Sequence, residues 1–190
     1  IDYLCGREDI DSDKIGITGN SGGGTQTSLM MLAQDERIKA FAPATYITEY
    51  MDNFKVWMAA DDEQIYLGML EKGFNYDDII ISVAPRPVNI LAVFHDFFPC
   101  DGAIKTYQSA QRIYEVLGAK ENLEITIDNA GHEYTTALAR SAAKFFAKHL
   151  LGKKDYDSPI RFYDIRKPSK VQVTNSGQVS GDYSDAKFVS

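Results

Sequence analysis

Lys14-Ile-Gly-Ile-Thr-Gly-Asn-Ser-Gly-Gly-Gly-Thr-Gln-Thr27 joins a short β-rich run to a helix-like one through a glycine-rich turn. Lys14 to Thr18 reads as a strand, following the polar turn Asp9-Ile-Asp-Ser-Asp13. Ser21 to Ala33 reads as a helix. Between them Gly19-Asn20-Ser21-Gly22-Gly23 fits G-x-S-x-G in the strand–turn–helix setting that this motif requires. Such a turn is sharp and strained, so the positions two before and two after the serine must be small. The helix that follows aims free N–H groups and a positive dipole end at the serine. Ser21 is therefore the candidate nucleophile, and the Gly22 N–H the candidate donor to an oxyanion beside it. Other glycine motifs fail. A P-loop needs Lys after its last Gly, where Thr25 stands, and a dinucleotide fingerprint needs Gly at position 27, where Thr27 stands. The competing role for Ser21 is that of a helix cap.

A β/α alternation continues along the chain. Ile38 to Thr45 reads as a second strand, and Pro87 to Phe94 as a third. The third is apolar enough to be buried on both faces, as parallel strands are. Gly102 to Leu117 reads as an amphipathic helix ended by Gly118, Leu123 to Ile127 as a fourth strand, and Glu133 to Leu151 as a helix closed by Gly152. The pattern predicts an α/β fold with a parallel sheet. Residues 47–84 are too long for an ordinary connection and read as a helical, cap-like insertion. The domain is expected to span 1–152. The polar extension 153–190 is expected to hold a small hairpin around Val171-Gln-Val173, Asn175-Ser-Gly177 and Val179, or a link to another module. Ile1 to Cys5 reads as the end of a helix already under way, and Ala186 to Ser190 as a strand-like stretch.

The 190 residues carry 27 acidic and 20 basic side chains, a net charge of −7, with 44% hydrophobic residues. That balance belongs to a folded globular chain. It argues against nucleic acid and anionic membrane as partners. The longest uncharged run, Ile15 to Gln34, holds five glycines and several polar residues, which no membrane-spanning helix tolerates. Two cysteines, Cys5 and Cys100, give neither a disulfide framework nor a zinc motif. No metal and no cofactor is expected.

A serine hydroxyl needs a base and an orienting acid. In hydrolases with this turn the chain order is Ser, then Asp or Glu, then His. Of the three histidines, His149 sits at the end of the last helix and His95 precedes the acid candidates. His132, in Ala130-Gly-His-Glu133 between the last strand and the last helix, is the candidate base. Asp96 follows the third strand, at the end of the sheet where α/β folds place catalytic groups, and is the candidate acid. Asp101 is the alternative acid, or else a cap of the helix near Gly102. Asp128 ends a strand and reads as structural.

The run Asp11 to Thr27, together with Ala84-Pro-Arg-Pro87, Asp96-Phe-Phe-Pro99 and Gly131-His-Glu-Tyr134, resembles α/β-hydrolase serine esterases of the acetyl xylan esterase-like kind, which stand near the prolyl oligopeptidase group. The resemblance spans about Ile1 to Gly152 and puts the family's nucleophile, acid and base on Ser21, Asp96 and His132. It implies a partial α/β-hydrolase fold, since the family's sheet has more strands than the four read here. The loop carrying the second oxyanion donor would then belong to an N-terminal half outside this chain. It also implies a small-molecule or carbohydrate ester as substrate, with acetylated xylan the favoured example. Export to a periplasm or the exterior would fit such a substrate. The same three residues would equally serve a prolyl oligopeptidase-like peptidase, and an isolated half could act as an inert binding module.

Candidate substrate contacts are Asn20 beside the nucleophile, His95 near the acid, and Tyr46 and Trp57. Tyr46, Tyr50, Phe54 and Trp57 recur at helical steps of four, four and three. On a helix they form one aromatic face, suited to stacking on a sugar or to packing the insertion onto the core.

Overall fold

A computed structural model describes residues 1–56, 61–64, 66–157 and 166–187. Four strands, β1 (Ile15–Asn20), β2 (Ile38–Ala44), β3 (Val88–Val93) and β4 (Leu123–Asp128), form one sheet in the order β1-β2-β3-β4. Every neighbouring pair is parallel. Each expected strand is present, with its ends shifted by a residue or two. Central β3 is buried along its whole length, and β2 at all but one residue. Edge strands β1 and β4 are only partly covered. This accounts for the unbroken apolar run of β3 and the mixed character of the edges.

Helices cover both faces. The first elements are α1 (Asp2–Cys5), α2 (Gly22–Leu32), α3 (Tyr50–Lys55) and α4 (Tyr76–Ile81). They are followed by α5 (Cys100–Val116) and α6 (Thr136–Leu151). On one side Met31 of α2, Ile79 and Ile80 of α4 and Tyr114 of α5 meet Ile38, Phe41, Val88 and Ile90 of the sheet. On the other, Leu138 and Ala142 of α6 meet Ala42, Ala44, Leu91 and Val93. Alternate residues of β3 thus feed opposite cores, as the two-residue period of a strand requires. Each large aliphatic buried in this way contributes about 1.5–3 kcal/mol.

Three expectations change. First, the described part of the helical insertion 47–84 packs into the main core. Ile47, Met69, Tyr76, Ile79, Ile80 and Val83 belong to the main core, and α4 packs as one of the layer helices. An Asn75–Asp78 capping box starts α4. Second, the last helix begins at Thr136 rather than Glu133, because the Thr135 hydroxyl accepts from Leu138 N–H at 3.1 Å and fixes the N-terminus there. Third, the tail holds no hairpin among its described residues. Short helices α7 (Pro168–Val171) and α8 (Val179–Asp182) stand there instead. Proline at the first position of α7 suits a helix start and removes a ladder donor from a strand. Residues 188–190 of the strand-like end lie outside the described residues, and 186–187 are not in a strand. By its internal contacts the chain divides into two units, 1–158 and 159–190. No helix among the described residues is long and apolar enough to cross a membrane.

Candidate active site

Ser21 ends the tight turn between β1 and α2 with φ 55° and ψ −115°. A side chain with a Cβ is strained there, at a cost of about 1–3 kcal/mol. Its N–H donates to Ala44 O at 3.0 Å and to Thr45 Oγ1 at 3.1 Å. Its carbonyl accepts from Thr25 N–H at 2.9 Å. The hydroxyl does not cap α2, so the competing role for Ser21 finds no support. Among the described residues Ser21 Oγ makes no hydrogen bond. Gly22 is the first residue of α2, and its N–H has no acceptor within the helix.

The glycines of the motif are not equivalent. A Cβ on Gly19 would stand 2.5 Å from Gly23 O and 2.7 Å from Gly23 Cα, whereas one on Gly23 would meet nothing within 4 Å. The close approach is therefore between the Gly19 position and the Gly23 backbone. Gly24 is needed for a different reason. A Cβ there would lie 2.6 Å from Ala44 O and 2.8 Å from Tyr46 Cβ, so α2 comes within touching distance of β2.

Asp96 and His132 meet beyond the carboxyl ends of β3 and β4, the same end of the sheet that carries Ser21. His132 Nδ1 donates to Asp96 Oδ1 at 2.8 Å. The Asp96 side chain is 2% exposed and that of His132 is 23% exposed. A buried carboxylate needs partners, and Asp96 Oδ1 also accepts from Phe98 N–H at 3.1 Å. With Nδ1 committed, Nε2 is the nitrogen left to exchange a proton. The Phe97 ring lies 4.1 Å from the imidazole, centroid to centroid, and walls one side of it. Neither Asp101, the alternative acid, nor Asp128, read as structural, bonds to the histidine. Asp101 is exposed in the first turn of α5, and Asp128 Oδ1 accepts from Asn129 N–H.

Two loops are tied together to hold this pair. Phe94 N–H donates to Asp128 O at 2.9 Å and His95 N–H to Ala130 O at 3.0 Å, prolonging the β3–β4 pairing past the strands. His95 Nε2 donates to Asn129 Oδ1 at 3.0 Å, so this exposed histidine works as a loop tie in this chain. Tyr134 fastens the loop bearing His132 to β1. The Thr18 hydroxyl spends its one hydrogen on Ala42 O at 2.6 Å, so the Tyr134 hydroxyl donates to Thr18 Oγ1 at 2.9 Å. No hydrogen bond joins His132 to Ser21 among the described residues.

The remaining expected contacts fare differently. Asn20 Oδ1 accepts from Thr45 Oγ1 at 2.8 Å, so its amide oxygen is engaged within the turn. Tyr46 precedes α3 instead of lying on it and is fully buried, edge-on to Tyr76 at 5.3 Å and to Phe98 at 5.8 Å. It has no surface to offer a ligand. Burial pushes the Tyr46 and Tyr76 phenols above the usual tyrosine range. Tyr50 and Phe54 do share α3 and stack at 6.1 Å. Trp57 lies outside the described residues. His149, in the last turn of α6, turns inward against Phe145 at 4.6 Å. The sequence did not point to Thr45, Tyr134 or Phe97 as parts of the site. Nor did it point to Glu63, whose Oε1 lies 3.4 Å from where a Cβ on Gly22 would stand. The most apolar cleft described, of about 290 Å³, is lined by residues such as Leu32, Tyr66, Met69 and Phe74 and by none of Ser21, Asp96 and His132. No cluster of metal-ligating side chains occurs among the described residues.

No family model matches the chain. It is similar, at 28% identity over 152 residues, to a Bacillus subtilis (strain 168) protein that is a hydrolase by name, YtaP; the match covers 79% of this chain and 50% of YtaP. Among solved structures it is similar to a carbohydrate esterase family 15 glucuronoyl esterase from Caldicellulosiruptor kristjansonii. The TM-score is 0.67 at 17% identity, over 84% of this chain and 49% of that one. It is also similar to the methylesterase BT1017, with a TM-score of 0.57 at 26% identity, over 77% and 32% of the two chains. A glucuronoyl esterase catalytic domain from Hypocrea jecorina gives 0.62 at 18% identity, over 76% and 46%. The fold is that of an α/β hydrolase, with a four-strand parallel sheet among the described residues. The chain spans about half the length of the curated relative it matches.

Proposed function

We propose that this chain supplies the nucleophile, base and acid of a serine esterase that cleaves carboxylic esters on carbohydrate. The observation carrying the reading is the 2.8 Å hydrogen bond between His132 and the buried Asp96 at the end of the sheet that also bears the strained Ser21. In this reading Ser21 Oγ attacks the ester carbonyl carbon while His132 Nε2 takes its proton. Asp96 keeps the Nδ1–H tautomer and stabilises the imidazolium without itself being protonated. The Gly22 N–H donates to the oxyanion of the tetrahedral intermediate. That intermediate collapses to an acyl-serine, and His132 returns the proton to the departing alcohol. Water, deprotonated by His132, then attacks the acyl-serine, and as the acyl C–Oγ bond breaks His132 gives that proton to Ser21 Oγ, releasing the acid and restoring Ser21.

A second oxyanion donor and the rest of the sheet are assigned to a preceding half of the hydrolase domain. Lack of one donor costs on the order of a hundredfold or more in turnover, so full activity belongs to the longer form. Acetyl groups on xylan are the favoured substrate by the sequence resemblance. The names of the glucuronoyl esterases among the similar solved proteins favour a second ester geometry, in which a sugar uronate is the acid half of the ester. Turnover of acetylated xylan, a methyl uronate and a peptide amide by the longer form, with Ser21→Ala as control, separates them. Hydrolysis of either ester but not the amide, lost in Ser21→Ala, is expected. Amide cleavage alone would move the reading to a peptidase.

A further inference from the structure

We infer that Thr45 is a positioning residue for the nucleophile, acting through its hydroxyl on the Asn20–Ser21 peptide; this rests on the reading of Ser21 given above. The starting observation is a backbone outlier. Thr45 has φ 48°, in the left-handed region, where a β-branched residue is the most strained choice available and glycine or asparagine the easy one. It follows β2 immediately, and β2 ends with Ala44 in register with Asn20 of β1. The strained residue and the strained serine are thus neighbours across two adjacent strands.

Its partners suggest why a threonine stands there. Thr45 N–H donates to Leu91 O at 2.8 Å, which fastens its backbone to β3. The hydroxyl has a single hydrogen, and that goes to Asn20 Oδ1 at 2.8 Å. A lone pair of the same oxygen accepts the Ser21 N–H at 3.1 Å. One atom therefore clamps both residues flanking the Asn20–Ser21 peptide. The orientation of that peptide sets where the Ser21 Cα–Cβ bond points, and hence where Oγ stands relative to base and substrate. Thr45 is 2% exposed, so its hydroxyl is out of reach of substrate and acts only through the turn. Valine would keep the shape and the strain but not the clamp. Serine would keep the clamp with less crowding. Glycine would remove strain and clamp together.

The test uses the enzyme carrying the preceding half, with Thr45→Val, Thr45→Ser and Thr45→Gly. Turnover of p-nitrophenyl acetate, the labelling rate with a fluorophosphonate and the melting temperature are measured for each. Thr45→Val is expected to lower kcat and labelling about ten- to hundredfold with KM within about twofold, the penalty of a misplaced reacting group. Thr45→Ser is expected to restore both. Thr45→Gly is expected to melt no lower than the parent and still to react as slowly as Thr45→Val, which keeps the test alive if the valine variant folds poorly. Parental rates in folded Thr45→Gly or Thr45→Val, or failure of serine to rescue, would overturn the role. Labelling that persists in Ser21→Ala is a distinct failure, since it removes the nucleophile itself and the positioning role with it.

Discussion

At the β1–β2 end of the sheet, Ser21 is held by backbone. Its φ of 55°, the contact of Gly19 with Gly23 and the start of α2 leave the turn one shape, and a single buried hydroxyl from Thr45 closes it. At the β3–β4 end, Asp96 and His132 are held by side chains and loop ties. These are a carboxylate shared between an imidazole and the Phe98 N–H, a phenylalanine wall, and two backbone bonds from Phe94 and His95. In the proposed mechanism the difference follows from what each group would have to do. A nucleophile works from a fixed position, whereas a base must exchange a proton in two directions and is better served by partners that fix the ring but leave Nε2 free. Rigid-element geometry thus supports one half of the site and a hydrogen-bonded network the other.

Breaking the network end at its acid is expected to have the largest effect. Asp96→Asn keeps the shape but loses the charge and favours the wrong tautomer, so kcat should fall by about 10³–10⁴. Steady-state kinetics on an acetyl ester measure it, and a loss of under tenfold would break the assignment of Asp96. Alkaline pH should next undo the packing behind both ends. The Tyr46, Tyr76 and Tyr114 phenols are pushed above their usual range by burial. In the unfolded chain they titrate near 10, roughly. Below that pH both states are protonated and the stability is fully present. Above it the unfolded state ionises first and the stability is lost as pH rises. Circular dichroism should show cooperative unfolding above about pH 10.

The turn end can be broken at one glycine and not at the other. Gly19→Ala should destabilise by about 1–3 kcal/mol and slow turnover, because its Cβ meets the Gly23 backbone. Gly23→Ala faces open space within the first turn of α2 and should be neutral or stabilising by up to about 1 kcal/mol. Urea unfolding of the pair measures the contrast.

The sheet and its order of elements were legible because parallel strands buried on both faces leave apolar runs bounded by turn residues, as in Pro87 to Phe94. The Ser21 turn was legible because its glycine-rich pattern lies between a strand and a helix, and Gly19 has no room for a side chain. Asp96 and His132 could be ranked from their places after strands, but their hydrogen bond is a tertiary fact. Tyr46 was misplaced for a physical reason. Tyr46, Tyr50 and Phe54 recur at helical spacing, yet α3 starts only at Tyr50, where Glu49 accepts from Asp52 N–H. Tyr46, ahead of the helix, turns into the core. Thr45 left no signal, since a threonine after a strand is ordinary in sequence, and Tyr134 stood in a quoted motif without a role of its own. Only the fold brings Thr45 to Asn20 and Tyr134 to Thr18.

Two smaller perturbations sharpen the contrast between the ends. Phe97→Ala removes the wall beside His132 and should lower kcat by roughly tenfold or less, as a loosened base would. Glu63→Gln removes an exposed negative charge near Gly22, where the oxyanion would form. It should raise kcat by roughly two- to fivefold at low salt, and less as salt screens it.

The central claim is that Ser21 is an activated nucleophile. Its most direct test is fluorophosphonate labelling followed by mass mapping of the modified residue, on this chain and on the form carrying the preceding half, with Ser21→Ala beside each. The expected result is a single adduct at Ser21, fast in the longer form, abolished by Ser21→Ala and slowed by Asp96→Asn. No adduct in the longer form, or an adduct at a different residue, would contradict it.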